Sequence, residues 1–174
     1  MQKPNRNINI WIVPALVAVA VIVLDQLTKQ WVVATLGPTT MTNFVPLIGD
    51  TARIAYSHNT GAAFSLLQGH PELLTIAAPL IVAGAIYFYV TQLPNQRTAV
   101  QLIMGLIMGG AFGNLIDRIR LGYVVDFVQV GWFPIFNLAD SAISVGAALL
   151  MLQFLRDELA QRRARSDEQA LSSQ

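Results

Sequence analysis

The sequence predicts an all-α membrane protein with four transmembrane helices, both termini in the cytoplasm and a small β-rich extracytoplasmic loop region. Of the 174 residues, 54% are hydrophobic and 12% are charged, against roughly 45–50% and about 25% in soluble domains. Four apolar runs each approach the roughly 20 residues that a spanning helix needs. A segment rich in Thr, Asn, Gly and Pro separates the first two runs. These observations indicate a single integral membrane domain over residues 1–174.

Composition excludes several kinds of site. The chain contains no cysteine, which excludes disulfides, thiolate metal sites and a cysteine nucleophile. His58 and His70 form no HExxH motif, so a zinc peptidase is not indicated. A net charge of +1 gives no reason to expect a nucleic-acid partner. The residues themselves therefore favour neither a thiolate metal site nor a zinc peptidase.

The predicted spans cover about residues 10–36, 73–93, 99–118 and 137–155, followed by a polar tail at 156–174. The first apolar run follows Lys3 and Arg6 and could instead belong to a cleaved signal peptide. No small-x-small cleavage site comes after it, and the apolar pattern resumes at Trp31, which favours an uncleaved helix. We expect the tail to be a fraying helix that is partly disordered.

Two further patterns concern the regions between and within the spans. The runs Phe44–Ile48 and Arg53–Tyr56 predict strands and turns lying on the membrane surface, and residues 121–136 are predicted as a loop. The third span carries a glycine at every fourth position, a pattern that lets another helix approach closely. These glycines are Gly105, Gly109 and Gly113.

The distribution of basic residues predicts the topology. Placing Lys3 and Arg6 in the cytoplasm also places Arg97 and the four arginines of the tail there, and this side then holds the larger share of positive charge. The basic residues left outside are Lys29, Arg53, Arg118 and Arg120. Under this topology the acidic residues at the ends of the helices meet at the outer membrane face.

Asp126 and Asp140 are the strongest candidates for chemistry at that face. Two carboxylates within hydrogen-bond reach share a proton, so one acts as a base towards water and the other as an acid towards a carbonyl oxygen. That is the chemistry of an aspartic peptidase. The structural alternative is that each aspartate caps a helix or pairs with Arg118 or Arg120, and spacing alone leaves it open.

Polar residues near this pair have spacings that favour a shared pocket. Asn137 precedes Asp140 by three positions, and Asn114 and Arg118 are one helical turn apart, so each pair lies on one helix face. Asp117 is expected to point elsewhere. For Asp25 we favour a structural pairing with Lys29 over catalysis.

The outer loop and the fourth span hold two weaker candidates. The stretch from Asn59 to Phe64 combines a turn-forming Asn and Gly with small residues, which would let a peptide or acyl chain pass close to the backbone. A tight turn without a ligand explains it equally well. Ser141 and Ser144 have no lysine or histidine nearby to act as a base, so a serine nucleophile is not indicated.

Five motifs occur in order along the chain: DQLTK from Asp25, NTGAAF from Asn59, GGAFGNLIDR from Gly109, VDF from Val125 and FNLAD from Phe136. Together they resemble the bacterial lipoprotein signal peptidases, the signal peptidase II family. The resemblance extends from about Trp11 to Leu155 and omits only the two tails.

The resemblance implies an aspartic endopeptidase of the bacterial inner membrane, with its site towards the periplasm and with neither a cofactor nor a metal. Its substrates would be prolipoproteins that carry a diacylglyceryl cysteine, cut immediately before that cysteine. By position, Asp126 and Asp140 match the catalytic pair. The residues that match supporting or substrate-side positions are Asn59, Asn114, Arg118, Asn137 and Asp25. We expect a monomer that contacts membrane lipids and no nucleic acid.

Two other classes of function remain alternatives. A component of a proton-coupled transporter would use intramembrane Asp and Arg as a relay, but the chain has no internal repeat and its acids gather at one face. A lipid- or signal-peptide-binding scaffold would use similar grooves without needing two adjacent carboxylates.

Overall fold

The computed structural model describes residues 9–37, 44–49, 51–61 and 71–172. In chain order these residues form α1 (Asn9–Leu36), β1 (Phe44–Ile48), β2 (Ala52–Asn59), α2 (Pro71–Thr91), α3 (Thr98–Leu121), β3 (Val124–Val130) and α4 (Leu138–Ser172). Lys3, Arg6 and His70 lie outside the described residues, as does the end of the outer-loop motif from Ala62 to Phe64.

Three helical stretches are long and apolar enough to cross a membrane: Ile10–Leu36, Thr98–Leu121 and Leu138–Gln169. The apolar stretch Thr75–Thr91 of α2 is shorter. Large hydrophobic side chains such as Leu16 and Leu80 are exposed on the outside of the helices, as expected where lipid replaces water. The chain is thus a mostly helical multi-pass membrane protein with a small antiparallel sheet.

Helix α3 is the central helix and packs against α1, α2 and α4. The predicted glycine face contacts α1: a Cβ at Gly109 would lie 2.8 Å from the Cβ of Val21, and one at Gly113 would lie 2.7 Å from a carboxylate oxygen of Asp25. On the other side of α3, a Cβ at Gly110 would overlap the carbonyl oxygen of Ala139 in α4. Small residues therefore set both helix–helix distances.

The sheet has the order β1-β2-β3, with both pairs antiparallel. It lies against the end of α1, where Val32 and Leu36 form a buried cluster with Phe127 of β3. Every residue of β1 is exposed, so the sheet presents an apolar edge strand on its outer side. The side chain of Arg53 lies over the ring of Phe44, with 4.8 Å between the guanidinium carbon and the ring centroid.

The segment predicted as a loop at 121–136 contains β3, which the sequence analysis missed. Helix α3 ends at Leu121, and Gly122 follows with a φ of 80°, a conformation that favours glycine. After β3 the chain turns back, and Phe136 pairs with Val128 as an isolated bridge. This return places the start of α4 beside the middle of β3.

The residues predicted as a polar tail belong to α4 as far as Ser172. Helix α4 continues without a break to Ser172, and the side chains described beyond Glu158 are exposed. Glu158 bonds Arg162 at 2.6 Å, an i, i+4 pair that supports the exposed helix.

Candidate active site

A cleft of about 800 Å³ lies between the sheet, α3 and the first turns of α4. Its polar part is lined by Asp126, Asp140, Asn114 and Arg118, together with Asn59, the last residue of β2. Its apolar wall comes from the loop after β3 and from α4: Phe133, Ile135, Phe136, Ile143 and Val145. The cleft thus combines two carboxylates with a hydrophobic surface.

Asp126 lies in the middle of β3 and is only 2% exposed. Each of its carboxylate oxygens accepts a hydrogen bond from an amide: Oδ1 from Asn137 Nδ2 at 2.7 Å and Oδ2 from Asn59 Nδ2 at 2.9 Å. The pairing of β2 with β3 sets Asn59 opposite Val124, close enough for its side chain to reach this carboxylate. Two donors from different elements therefore fix its orientation.

Asp140 lies in the first turn of α4 and forms a reciprocal cap with Asn137. The Asn137 side-chain oxygen accepts the Asp140 N–H at 2.8 Å, and Asp140 Oδ2 accepts the Asn137 N–H at 3.2 Å. This is the capping-box arrangement, with Asn in place of Ser or Thr and Asp in place of Glu. The N-terminal end of a helix also favours negative charge. The other oxygen, Oδ1, accepts a bond from Asn114 Nδ2 at 2.7 Å.

Asn114 and Asn137 connect the two carboxylates. Asn137 is fully buried, and its Nδ2 also donates to Asn114 Oδ1 at 3.0 Å. A continuous set of hydrogen bonds thus runs from Asp126 through Asn137 and Asn114 to Asp140. Because an asparagine amide offers donors on one atom and an acceptor on the other, both amides are set with nitrogen towards a carboxylate.

Burial raises the pKa of Asp126 from 3.8 to about 7, with the negative charge of Asp140 as the second cause. The hydrogen bonds from Asn59 and Asn137 and the charge of Lys29 act in the opposite direction. Near neutral pH, Asp126 is therefore poised to hold or release a proton beside a second carboxylate. Such a pair can activate a water molecule with one member and protonate an oxygen with the other.

Several site residues predicted from the sequence meet in this cleft. Asp126, Asp140, Asn114 and Arg118 line it, Asn137 is buried directly behind it, and Asn59 reaches Asp126. Arg118 is half-buried, and its guanidinium donates to the Asn114 carbonyl oxygen at 3.4 Å. The ion pairs of the described part of the chain involve other acids, and none includes Asp126 or Asp140.

The structural alternative is therefore correct in one respect: Asp140 does cap a helix. Asp140 also lines the cleft, and its two carboxylate oxygens have different partners: Oδ2 accepts the Asn137 N–H and Oδ1 accepts a bond from Asn114. Capping and a chemical role are compatible here.

Asp25 lies away from the cleft lining and is fully buried. It forms the expected pair with Lys29, at 2.8 Å, and also accepts the N–H of Ala139 at 3.0 Å. Asp117, expected to point elsewhere, is buried beside the same lysine at 2.9 Å. The contacts of Lys29 with Asp117 and Asn114 were not predicted, because they join residues far apart in the chain.

The cleft also contains residues that the sequence analysis did not single out. Ser57 and His58 of β2 line it, and the His58 ring packs edge-on against Tyr123. Within the described residues, no group of three or more His, Asp or Glu side chains is placed to hold a metal ion.

The fold and the cleft together define a multi-pass membrane protein with a paired-carboxylate site next to an apolar groove. A family model described as Signal peptidase (SPase) II matches residues 17–156. That match includes every site residue named above. The chain belongs to the signal peptidase II family, a family of peptidases.

Proteins named lipoprotein signal peptidase are similar over most of the chain. The one from Halothermothrix orenii is 41% identical over 144 residues, covering 82% of this chain and 95% of its own. The one from Dehalococcoides mccartyi is 46% identical over 137 residues, covering 77% and 83%. The one from Chlorobium phaeobacteroides is 40% identical over 153 residues, covering 81% and 94%.

Two solved structures are similar to this chain in fold. One described as a bacterial membrane enzyme is similar with a TM-score of 0.73 and 33% identity, covering 83% of this chain and 88% of that one. A second with the same description has a TM-score of 0.71 and 33% identity, covering 83% and 93%.

Proposed function

We propose that the protein is an aspartic endopeptidase of the bacterial inner membrane. It cleaves the signal peptide from diacylglyceryl-modified prolipoproteins immediately before the lipidated cysteine. Asp126 and Asp140 are the catalytic pair, and Asn59, Asn114, Arg118, Asn137 and Asp25 support the site or the substrate. The enzyme acts as a monomer without a cofactor, and its four spans leave both termini in the cytoplasm and the site towards the periplasm.

The observation that carries this proposal is the pair of carboxylates in one cleft, each oriented by at least one asparagine amide. Asn137 donates to Asp126 and Asn114 donates to Asp140, both at 2.7 Å. With one proton shared between them, one carboxylate takes a proton from water while the other donates its proton to the scissile carbonyl oxygen. The water adds to the carbonyl carbon, and collapse of the resulting diol breaks the C–N bond as the amine takes up a proton.

The remaining lining of the cleft supports a substrate with both peptide and lipid parts. The apolar residues Ile143 and Val145 continue along α4 away from the carboxylates, in the direction that acyl chains entering from the bilayer would occupy. Asn59 and the loop holding Phe133 approach from the sheet side. The peptide then passes between sheet and helices while the acyl chains lie against α4.

Topology is consistent with this placement. Asp25, Lys29, Asp117 and the cleft all lie at the end of the helices that carries the sheet, and Arg97 and Arg156 lie at the other end. The predicted excess of basic residues on the cytoplasmic side assigns the sheet end to the periplasm. A signal peptide that crosses the membrane presents its lipidated cysteine at that depth.

The first experiment replaces each carboxyl with an amide of nearly the same shape. Purified Asp126→Asn and Asp140→Asn variants in liposomes are each expected to process a diacylglyceryl prolipoprotein at least about 1,000-fold more slowly than wild type, because neither can share a proton. Both should still bind the substrate. Processing at the wild-type rate by either variant would overturn the catalytic pair. If a variant no longer bound the substrate, its slower processing would be explained by lost binding and would count against a purely chemical role.

A second experiment compares two arginines of α3. Arg118 lines the cleft with both carboxylates, whereas Arg120 is exposed and donates to Gln26 Oε1 at 3.2 Å outside it. Arg118→Ala is expected to lower kcat/KM by about 10- to 100-fold and Arg120→Ala by less than about threefold. Equal losses in the two variants would count against the role of Arg118 in the cleft.

A non-enzymatic scaffold is separated from the peptidase by the same variants. A scaffold would bind prolipoproteins without releasing a shorter product, and Asp140→Asn would not change that binding. Time-dependent release of the signal peptide by wild type, and none by Asp140→Asn, is the expected result.

A further inference from the structure

Lys29 is a buried cation that the proposed chemistry does not use. It lies on α1, is 3% exposed, and its ammonium contacts Asp25 Oδ2 at 2.8 Å and Asp117 Oδ2 at 2.9 Å. We call these three residues the Lys29 cluster. Burying two carboxylates and an ammonium costs solvation free energy that mutual attraction only partly returns, so a buried cluster is weak evidence for stability alone.

The cluster holds the backbone next to both carboxylates of the cleft. Asp25 Oδ1 accepts the N–H of Ala139, the residue directly before Asp140. Asp117 Oδ2 accepts the N–H of Val125, the residue directly before Asp126. Each acid of the Lys29 cluster thus accepts a backbone hydrogen bond from the residue directly before one of the two cleft carboxylates.

Lys29 also reaches the site through a side chain. Its Nζ donates to Asn114 Oδ1 at 3.0 Å, and Asn137 Nδ2 donates to the same oxygen at 3.0 Å. With two donors on its oxygen, the Asn114 amide is held with Nδ2 towards Asp140, which it meets at 2.7 Å. A flipped amide would set an oxygen against the carboxylate and an NH₂ against an ammonium.

We propose that Lys29 is a positioning residue for the peptidase reaction, acting on Asp140 through the amide of Asn114. It contacts neither cleft carboxylate itself. Asp25 and Asp117 hold the ammonium in place and connect it to the backbone on both sides of the site. The inference rests on the proposed function and goes beyond it, because it assigns a role in turnover to a residue outside the cleft.

The test is a double-mutant cycle between Lys29→Met and Asn114→Ala, with kcat and KM measured on a diacylglyceryl prolipoprotein peptide in liposomes. Lys29→Met alone is expected to lower kcat by about 100-fold, the scale of a misplacement near 1 Å, while KM stays within about threefold. In the Asn114→Ala background, Lys29→Met should lower kcat by less than about threefold more. Losses that multiply, or a change confined to KM, would overturn the proposal.

A charge-matched variant allows the cycle to be measured even if Lys29→Met alone does not fold. Lys29→Met alone leaves two buried carboxylates without their cation, which is strongly destabilising. Lys29→Met with Asp117→Asn removes one carboxylate together with the ammonium and leaves the net charge of the cluster unchanged. It should fold and pass through the cycle with the same non-additive result.

Two controls separate this inference from the proposed function. Arg97→Met removes a cation from an exposed ion pair at the opposite end of the helices and should leave kcat unchanged. Asp126→Asn is measured in parallel. If it remains active, the proposed function fails, whereas an inactive Asp126→Asn with a multiplicative Lys29 cycle means that only the positioning role is wrong.

Discussion

The two ends of the helical bundle carry ion pairs of similar length in different surroundings. At the sheet end, Lys29 lies between two acids with side-chain exposures of 4% or less. At the opposite end, Arg97 bonds Asp157 at 2.6 Å, with exposures of 51% and 35%. Distance does not separate these pairs, since all three N–O contacts lie between 2.6 and 2.9 Å. The pairs differ in burial. A buried charge holds its neighbours in a fixed geometry, whereas an exposed charge is screened by water and restrains them little.

The largest contrast is expected from two glycine substitutions. At Gly110 an added Cβ overlaps the carbonyl oxygen of Ala139, one residue before Asp140, whereas at Gly84 it meets nothing within 4 Å. Gly110→Ala should therefore displace the first turn of α4, lower kcat by about 100-fold and destabilise the fold by about 1–3 kcal/mol.

Gly84→Ala is the matched control. It should leave kcat unchanged and change stability by no more than about 1 kcal/mol, in the favourable direction because alanine is the better helix former. Thermal unfolding in detergent and processing kinetics measure both quantities. A Gly110→Ala variant that behaves like Gly84→Ala would mean that the contact between α3 and α4 is not rigid.

The next prediction concerns pH. Burial and the charge of Asp140 raise the pKa of Asp126 to about 7, so the proton that the proposed mechanism needs is lost as pH rises through that value. Activity should fall on the alkaline side of about pH 7, in a pH profile of kcat on liposomes. An activity that stays constant from pH 6 to 9 would show that Asp126 is not the group that holds the proton.

The stability of the fold should also decrease as pH rises towards 7. A carboxyl whose pKa is higher in the folded than in the unfolded protein binds its proton more tightly when folded. Its contribution is fully present below the unfolded value of about 3.8 and is lost as pH rises to about 7. Asp126→Asn should remove this part of the pH dependence, as measured by the unfolding temperature between pH 4 and 8, whereas Asp157→Asn at the exposed end should retain it.

The smallest effect is expected at the exposed end. Arg97→Met and Asp157→Asn each break an ion pair that water already screens, so each should cost less than about 1 kcal/mol. Processing rates should be unchanged, and the small loss should shrink further in high salt. A loss of several kcal/mol would mean that the two ends do not differ in the way that burial indicates.

The helices and the first two strands were predictable because their signals are local. Apolar runs mark the helices, and short runs between turn residues marked β1 and the start of β2. Strand β3 was missed because its first four residues, from Val124 to Phe127, are all buried and so lack the alternation of a half-buried strand. Its partner β2 lies more than 60 residues earlier in the chain, beyond the reach of a local pattern.

In the site, too, the residues related by local spacing were predictable and the long-range contacts were not. Topology and spacing placed Asp126, Asp140, Asn114 and Asn137 at one face, because helix periodicity relates residues a few positions apart. The bond from Lys29 to Asn114 spans 85 positions and that from Ala139 to Asp25 spans 114. Such contacts depend on how α1 packs against α3 and α4, which no motif encodes.

The reciprocal cap between Asn137 and Asp140 has a consequence for how the protein can change over time. The same two side chains start the helix and belong to the site. A substitution at either position therefore affects helix stability and chemistry together. A substitution of Asp140 that alters the chemistry of the cleft would therefore also fray the start of α4. Substitutions should be tolerated better at the far, solvent-exposed end of the helix.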